Sequence, residues 1–293
     1  MWGPEKIPQR EAKDLVDRAL EVFKREKIEG MQVYESWEEV DEQTRREIIN
    51  AFIENYGGEP WNEGGICSRC RSKISLADFR SHQESQTLNC ECGGVFEPFY
   101  NPEEVAQDLQ ERFQPSDRFK PRLAVLKNEA GELIGVSMGV VLSPENLEDR
   151  IWSELYIRKA YGGNRQEFEK DIQELKEKIP ELKERGRILL FEDIFINPKY
   201  RGGRHVLELA RMIYRHGAKN GVRQLIAITQ PDSKAYRNLQ KAGCKDLASF
   251  GEAVFQYSPD LRLPLLGAEI LSSDAYARLI NFLQRFLRVK KSK

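Results

Sequence analysis

Apolar positions along the chain keep two rhythms, one with the period of a helix and one with the period of a strand. In residues 11–28, Leu15, Val16, Ala19, Leu20 and Phe23 make one stripe, which predicts an amphipathic helix ended by Gly30. Met31–Glu35 alternates like a first strand. Ser36, with Glu39 three residues on, has capping-box spacing and predicts the next helix start. That helix carries Val40, Ile48, Ala51 and Phe52 to about Tyr56, where Gly57-Gly58 stops it. Asn101 and Pro102 suit an N-cap and a first-turn proline, with Val105, Leu109 and Phe113 following at spacing four. Arg122–Lys127 and Leu133–Leu142 read as two strands joined by a turn around Asn128–Glu132. Residues 143–187 are polar and charged, helical from about Gln166 to Ile179, with Pro180 breaking or restarting the helix.

The pattern then changes within a few residues. Leu189, Leu190, Phe191, Ile194, Phe195 and Ile196 predict a strand covered on both faces, ended by Asn197-Pro198. A basic Gly-Gly turn follows, and Val206, Leu209, Ala210 and Ile213 recur at helical spacing to about Lys219, before Asn220-Gly221. A strand, a tight turn and a helix start present unpaired N–H groups to an anion. Arg201, Arg204 and His205 add positive charge there, so the anion expected is a phosphate or pyrophosphate. Further on, Gln224–Thr229 predicts a strand, Ser233–Ala242 a helix stopped by Gly243, and residues 249–257 another strand. Ser272–Val289 predicts an amphipathic helix through Tyr276, Leu279, Ile280, Leu283, Phe286 and Leu287, with a basic tail of Lys290, Lys291 and Lys293. Such a face suits a protein partner.

Composition narrows this picture. Charged residues make up 32% of 293 residues, yet the net charge is -1, a balance that argues against a general nucleic-acid binder. No apolar run is long enough to span a membrane, and the first residues lack the apolar core of a signal peptide. A cytoplasmic home with reduced cysteines is the expectation.

Four of the five cysteines form Cys67-x-x-Cys70 and Cys90-x-Cys92, with residues 71–89 between the pairs. Two close thiolate pairs joined by a loop suit a tetrahedral structural zinc; an iron–sulfur site and free redox cysteines are the alternatives. His82 enters the ligand set only where a cysteine is spared. A closed site of this kind has no open position for catalysis, and its binding energy, on the order of 10–16 kcal/mol in small zinc units, is folding energy.

The stretch FEDIFINPKYRGGR resembles the signature of the GNAT superfamily of N-acetyltransferases. In that family a strand opening with an acidic pair runs through x-Pro-x-Tyr-Arg-Gly into a glycine-rich turn that binds the pyrophosphate of acetyl-CoA. Glu192, Asp193, Ile194, Phe195, Ile196, Pro198, Tyr200, Arg201 and Gly202 match. Arg204 and Val206 stand where the family has its second glycine and its third glycine or alanine, and Gly203 occupies a variable position. The resemblance implies an α/β (α+β) fold with a GNAT-like mixed central sheet flanked by helices. It spans residues 31–257, interrupted by a Cys₄ zinc-binding insertion at 61–100, after the Pro60-Trp61 pair, and a charged helical insertion at 143–187. Residues 1–30 would be an N-terminal helix and 258–293 a C-terminal extension.

The resemblance also implies an activity: acyl transfer from acetyl-CoA or another acyl-CoA to an amine on a small molecule or protein, by direct attack in a ternary complex. Main-chain N–H groups near Ile194, Phe195 and Ile196 would polarise the thioester carbonyl. Arg201, Gly202, Gly203, Arg204, His205 and Val206 would hold the pyrophosphate. Glu192 would take the proton of the acceptor ammonium, since a carboxylate among apolar strand residues makes an effective base. The family's tyrosine, which protonates the leaving thiolate, is Leu239 here; Tyr236, three residues earlier, is the substitute, and Cys244 reads as a small buried residue. The competing expectation is a catalytically silent scaffold with a structural zinc.

Overall fold

The computed structural model describes residues 28–59, 61–201, 205–231, 233–241, 243–250 and 253–261. The helix expected over 11–28, save its last residue, and the one over 272–289 lie outside the described residues, as do Gly202, Gly203 and Arg204.

In chain order, β1 (Met31–Tyr34) leads to α1 (Glu42–Gly57), a metal-ligand-rich unit built of β2 (Gly65–Cys67), β3 (Lys73–Ile74), α2 (Leu76–Glu84) and β4 (Phe96–Pro98), and then α3 (Pro102–Arg112). Two long strands follow, β5 (Phe119–Lys127) and β6 (Leu133–Leu142). Four short helices come next: α4 (Leu147–Ser153), α5 (Leu155–Ala160), α6 (Arg165–Asp171) and α7 (Gln173–Glu184). The chain ends its described course with β7 (Ile188–Ile196), α8 (His205–Lys219), β8 (Gln224–Thr229), α9 (Lys234–Lys241), β9 (Lys245–Phe250) and β10 (Ala253–Ser258).

The main sheet has the order β1-β5-β6-β7-β8-β10-β9, and β3-β2-β4 form a separate small sheet. Only β7 and β8 pair in parallel; the other neighbours are antiparallel. The mixed central sheet flanked by helices is therefore as expected. One face is covered by α8, whose Leu209 and Ile213 pack with Leu189 and Phe191. Gly139 on β6 permits this contact, since a Cβ there would lie 2.4 Å from the Ile213 side chain. On the opposite face, α1 and α3 bury Ile48, Phe52, Val105 and Leu109 against Val136 and Phe195. Beside them the helices of 143–187 bury Leu147, Ile151, Phe168 and Leu175 against Leu190 and Phe255.

Three expectations are corrected. The second helix does not start at Ser36. Asp41 is its N-cap, accepting from the Thr44 N–H at 2.9 Å and its hydroxyl at 2.6 Å, after a turn that buries Trp37 and Val40. Pro180 does not break a helix, because α7 runs through it. Burial of Leu175 and Leu182 on either side of the proline holds the turn that its missing N–H weakens. The strand read over 249–257 is two strands, β9 and β10, folded back as an antiparallel hairpin.

Candidate functional site

The site grows from two irregularities of β7. Against β6, Met138 pairs with Asp193 while the next residue, Gly139, pairs with Phe191, so Glu192 is one residue too many: a β-bulge. Strand alternation therefore skips a beat. Leu189, Phe191, Ile194 and Ile196 all pack on the α8 side, and the two carboxylates between them both turn to the other face. Against β8, pairing stops at Phe191↔Ala227. Beyond it β8 continues beside β10, to Thr229↔Val254, while residues 193–196 of β7 keep only their β6 partners. The two parallel strands part here, and one edge of β7 is left without a strand partner among the described residues.

The paired carboxylates meet a buried ionic cluster at the opening. Arg150 from α4 binds Glu192 through two nitrogens, at 2.5 and 2.9 Å. Arg112, at the end of α3, stands 3.0 Å from Asp193, 2.9 Å from Asp108 and 3.7 Å from Glu154. Its burial opposes its charge, but Asp108, Asp193, Glu154 and Glu192 outweigh that and hold the guanidinium well above its ordinary pKa. Tyr56 donates its hydroxyl to Asp193, and burial, then the carboxylate, push that phenol up. Burial raises Asp108, against the pull of Arg112, and raises Glu154 far above the carboxylate range. Glu154 Oε1 has no hydrogen-bond partner among the described residues. Four acidic side chains thus surround two guanidiniums, away from water and beside the parted strands.

The basic turn lies where β7 ends. Arg201 reaches back with Nε 3.3 Å from the Ile196 carbonyl and a terminal nitrogen 3.4 Å from Asn55 Oδ1. His205 opens α8 with Nδ1 3.2 Å from Glu208, and Val206 is half-buried beside it. Tyr236, on α9, donates its hydroxyl to Asp246 at 2.8 Å and accepts from Gln240 at 2.8 Å. Cys244 is buried among apolar side chains, which pushes its thiol up to about 12.

The cysteines form the second constellation. The sulfurs of Cys67, Cys70, Cys90 and Cys92 lie within 4.8 Å of one another, with Cys67–Cys92 at 3.5 Å and Cys70–Cys90 at 3.7 Å. A tetrahedral zinc with bonds of about 2.3 Å requires sulfur separations of about 3.8 Å, so the set fits the ion. Its chemistry fits too. The Ser72 hydroxyl pulls Cys70 down to about 6, while Cys92, although Gly94 offers it an N–H, is pushed up to about 11 by the neighbouring thiols. Four such groups cannot all ionise without a cation among them. Gly94 has to be glycine, because a Cβ there would lie 2.6 Å from Cys67 Sγ. His82 is turned away, to Thr87 at 3.2 Å and onto the ring of Phe96.

Sequence reasoning missed Asp108, Arg112, Arg150 and Glu154. A signal existed for two of them: Asp108 and Arg112 continue the Val105, Leu109 stripe of α3, so a buried face of that helix carries charge.

No family model and no curated protein matches the chain. Among solved structures, it is similar to arylalkylamine N-acetyltransferase 2 from Aedes aegypti, at 10% identity over 78% of this chain and 98% of that one, with a TM-score of 0.42. Polyamine N-acetyltransferase from Drosophila melanogaster shares 10% identity over 78% and 97%, at 0.41. PaiA N-acetyltransferase from Thermoplasma acidophilum, in complex with coenzyme A, shares 9% over 78% and 98%, at 0.41. Likeness of this size assigns no activity; only the residues of the site can do that. No helix among the described residues is long and apolar enough to cross a membrane.

Proposed function

We propose that the chain is a GNAT-type acyltransferase that carries an acetyl group from acetyl-CoA to an amine. The observation that carries this reading is the parting of β7 and β8 after Phe191, with an unpartnered β7 edge that leads directly to a basic turn at the start of α8. A pantetheine arm carries amide groups and can complete such an edge as a strand would. At its outer end Arg201, His205 and Val206, with residues 202–204, receive the pyrophosphate. At its inner end N–H groups of Ile194, Phe195 and Ile196 polarise the thioester carbonyl.

The amine then attacks that carbonyl. A C–N bond forms, the C–S bond breaks, and CoA leaves as thiolate. The ammonium's proton enters the carboxylate pair at the bulge, Glu192 and Asp193, which Arg150 and Arg112 hold in place. Tyr236 supplies the proton for the thiolate once its hydroxyl turns from Asp246, and the second proton shed by the acylated nitrogen restores the phenol through solvent. The Cys67, Cys70, Cys90 and Cys92 set holds one zinc, which supplies structure and no reactive position.

Calorimetry with acetyl-CoA tests the reading. Wild-type protein is expected to bind it. Arg204→Gly leaves binding equal or tighter where the side chain merely crowds the turn, and weakens it where the guanidinium grips phosphate. Absence of binding to acetyl-CoA and to longer acyl-CoAs would overturn the proposal in favour of a silent scaffold.

A further inference from the structure

The last turn of α1 touches both ends of the acyl site and the cysteine unit. Successive helix residues point about 100° apart, so residues 54–57 meet different neighbours. Asn55 Oδ1 accepts from Arg201 of the basic turn at 3.4 Å. The Tyr56 hydroxyl donates to Asp193, next to the bulge. Glu54 and Gly57 meet α2 of the cysteine unit. Glu54 Oε1 accepts from Arg80 at 2.5 Å, but both side chains are exposed and the pair contributes little. Gly57 makes the closer contact: it is buried against Leu76, and a Cβ on it would lie 2.7 Å from Leu76 Cβ. The Tyr56 carbonyl, one of the acceptors a helix end leaves over, is met by the Glu63 N–H at 2.9 Å.

The sulfurs set where Leu76 stands. The Cys67 N–H donates to the Ser72 carbonyl at 2.9 Å, and the Arg71 N–H returns to the Cys67 carbonyl at 3.1 Å, closing the turn that carries Cys70. That turn delivers β3, whose Ile74 carbonyl accepts from Gly64 at 2.9 Å. Leu76 follows two residues later, between Gly57 and Gly64; a Cβ on Gly64 would lie 2.1 Å from the Leu76 nitrogen. The unit's own core is only Cys67, Phe79 and Phe96, with a few partly buried neighbours, so it has two states, folded with metal and unfolded without. In the second state the end of α1 loses Leu76. Trp61 and Tyr100 still flank the Tyr56 ring, at 5.6 and 6.2 Å between centroids, so the turn shifts rather than melts. The residues that shift are the ones holding Arg201 and Asp193.

We infer that Asn55 and Tyr56 are positioning residues set by the cysteine unit, so that zinc and acetyl-CoA each tighten the binding of the other. This rests on the transferase reading and adds a regulation to it: loss of zinc lowers the affinity of a site that contains none of the metal's ligands.

Two titrations of the full chain test this. Calorimetry gives acetyl-CoA affinity for zinc-loaded and for chelated protein; competition with a chromogenic chelator gives zinc affinity with and without saturating acetyl-CoA. Each ligand is expected to tighten the other by the same factor, at least about 5-fold. Leu76→Ala removes the contact and no sulfur, and should bring the factor close to one while zinc stays at one per chain. Where Leu76→Ala loses its zinc, the double variant Asn55→Ala, Tyr56→Phe cuts the link from α1 and should have the same effect. Equal acetyl-CoA affinities with and without zinc, or a factor that survives the cut, would overturn the inference. A chain that binds no acetyl-CoA in either form removes the transferase reading, and the link is then read by zinc alone. Tyr56→Phe keeps the ring, releases Asp193 and should weaken zinc about 3–10-fold, part of the worth of a hydrogen bond to a charged group. Zinc affinity unchanged in Tyr56→Phe would remove the link as well.

Discussion

The two stretches that interrupt the expected domain, 61–100 and 143–187, are held by opposite means. The first has a core of Cys67, Phe79 and Phe96, with Ile74, Leu88, Cys90 and Cys92 only partly buried against it. Its small sheet makes no strand pairing with the main one among the described residues, and sulfur does the work that apolar area cannot. The second stretch has no metal-ligating cluster among the described residues. Phe168, Ile172 and Leu175 are fully buried together with Leu190 and Phe255 of the main sheet, and Arg150 and Glu154 stand in the ionic cluster. In sequence the second is much the more highly charged of the two. The first joins the main core only near its ends, through Ile66, Phe99 and Tyr100, and the second is part of that core and of its chemistry throughout.

The largest effect expected is on the first stretch. Protein purified without chelators should hold one zinc per chain, and chelation or Cys70→Ser should unfold the cysteine unit, residues 67–96, while the main sheet keeps its circular dichroism. Limited proteolysis locates the loss. Less than about half an equivalent of metal, or unfolding of the whole chain on chelation, would break the comparison.

In the second stretch, damage should be global. Arg150→Ala leaves Glu192 buried without its two hydrogen bonds and should cost about 3–5 kcal/mol in a single urea transition. Leu175→Ala leaves a cavity in the shared core and should cost about 2–5 kcal/mol, again without a separate transition for 143–187. A two-step curve in either variant would show that this stretch unfolds by itself.

The smallest effect is on pH. Glu154 keeps its proton in the folded chain to higher pH than its ordinary value of 4.5. Its contribution to stability is therefore complete below that value and is lost as pH rises through the raised folded pKa. Wild type should lose stability above about pH 5 by at most about 1.4 kcal/mol per pH unit, and Glu154→Gln should flatten that slope. Parallel slopes in urea titrations at pH 5.5 and 8 would show that Glu154 does not set this dependence.

The boundaries of the long elements were readable because their causes are local. Leu133–Leu142 and Gln224–Thr229 are apolar runs with nothing to compete for them, and Asn101-Pro102 caps and starts a helix by its own chemistry. The cysteine spacing was readable for the same reason. The hidden features depend on partners far away in the chain. The Glu192-Asp193 pair is plain in sequence, but that both side chains share one face is decided by a mismatch with β6. Arg150 reads as one more charge in a charged stretch until α4 is laid against β7. The strand over 249–257 looked continuous because the hairpin is made by pairing with β8, not by a strong turn signal.

The bulge at Glu192 has one more consequence, for insertions and deletions. Counting from Phe191, Asp193 already faces the side that the next residue of an unbulged strand would face, and Ile194, Phe195 and Ile196 follow in step. A chain lacking residue 192 would therefore pair with β6 without a gap, and no other side chain of β7 would change sides. A lineage can gain or lose this carboxylate in one codon-sized step while the surrounding strand keeps its register, but the buried Arg150 on α4 has to change with it.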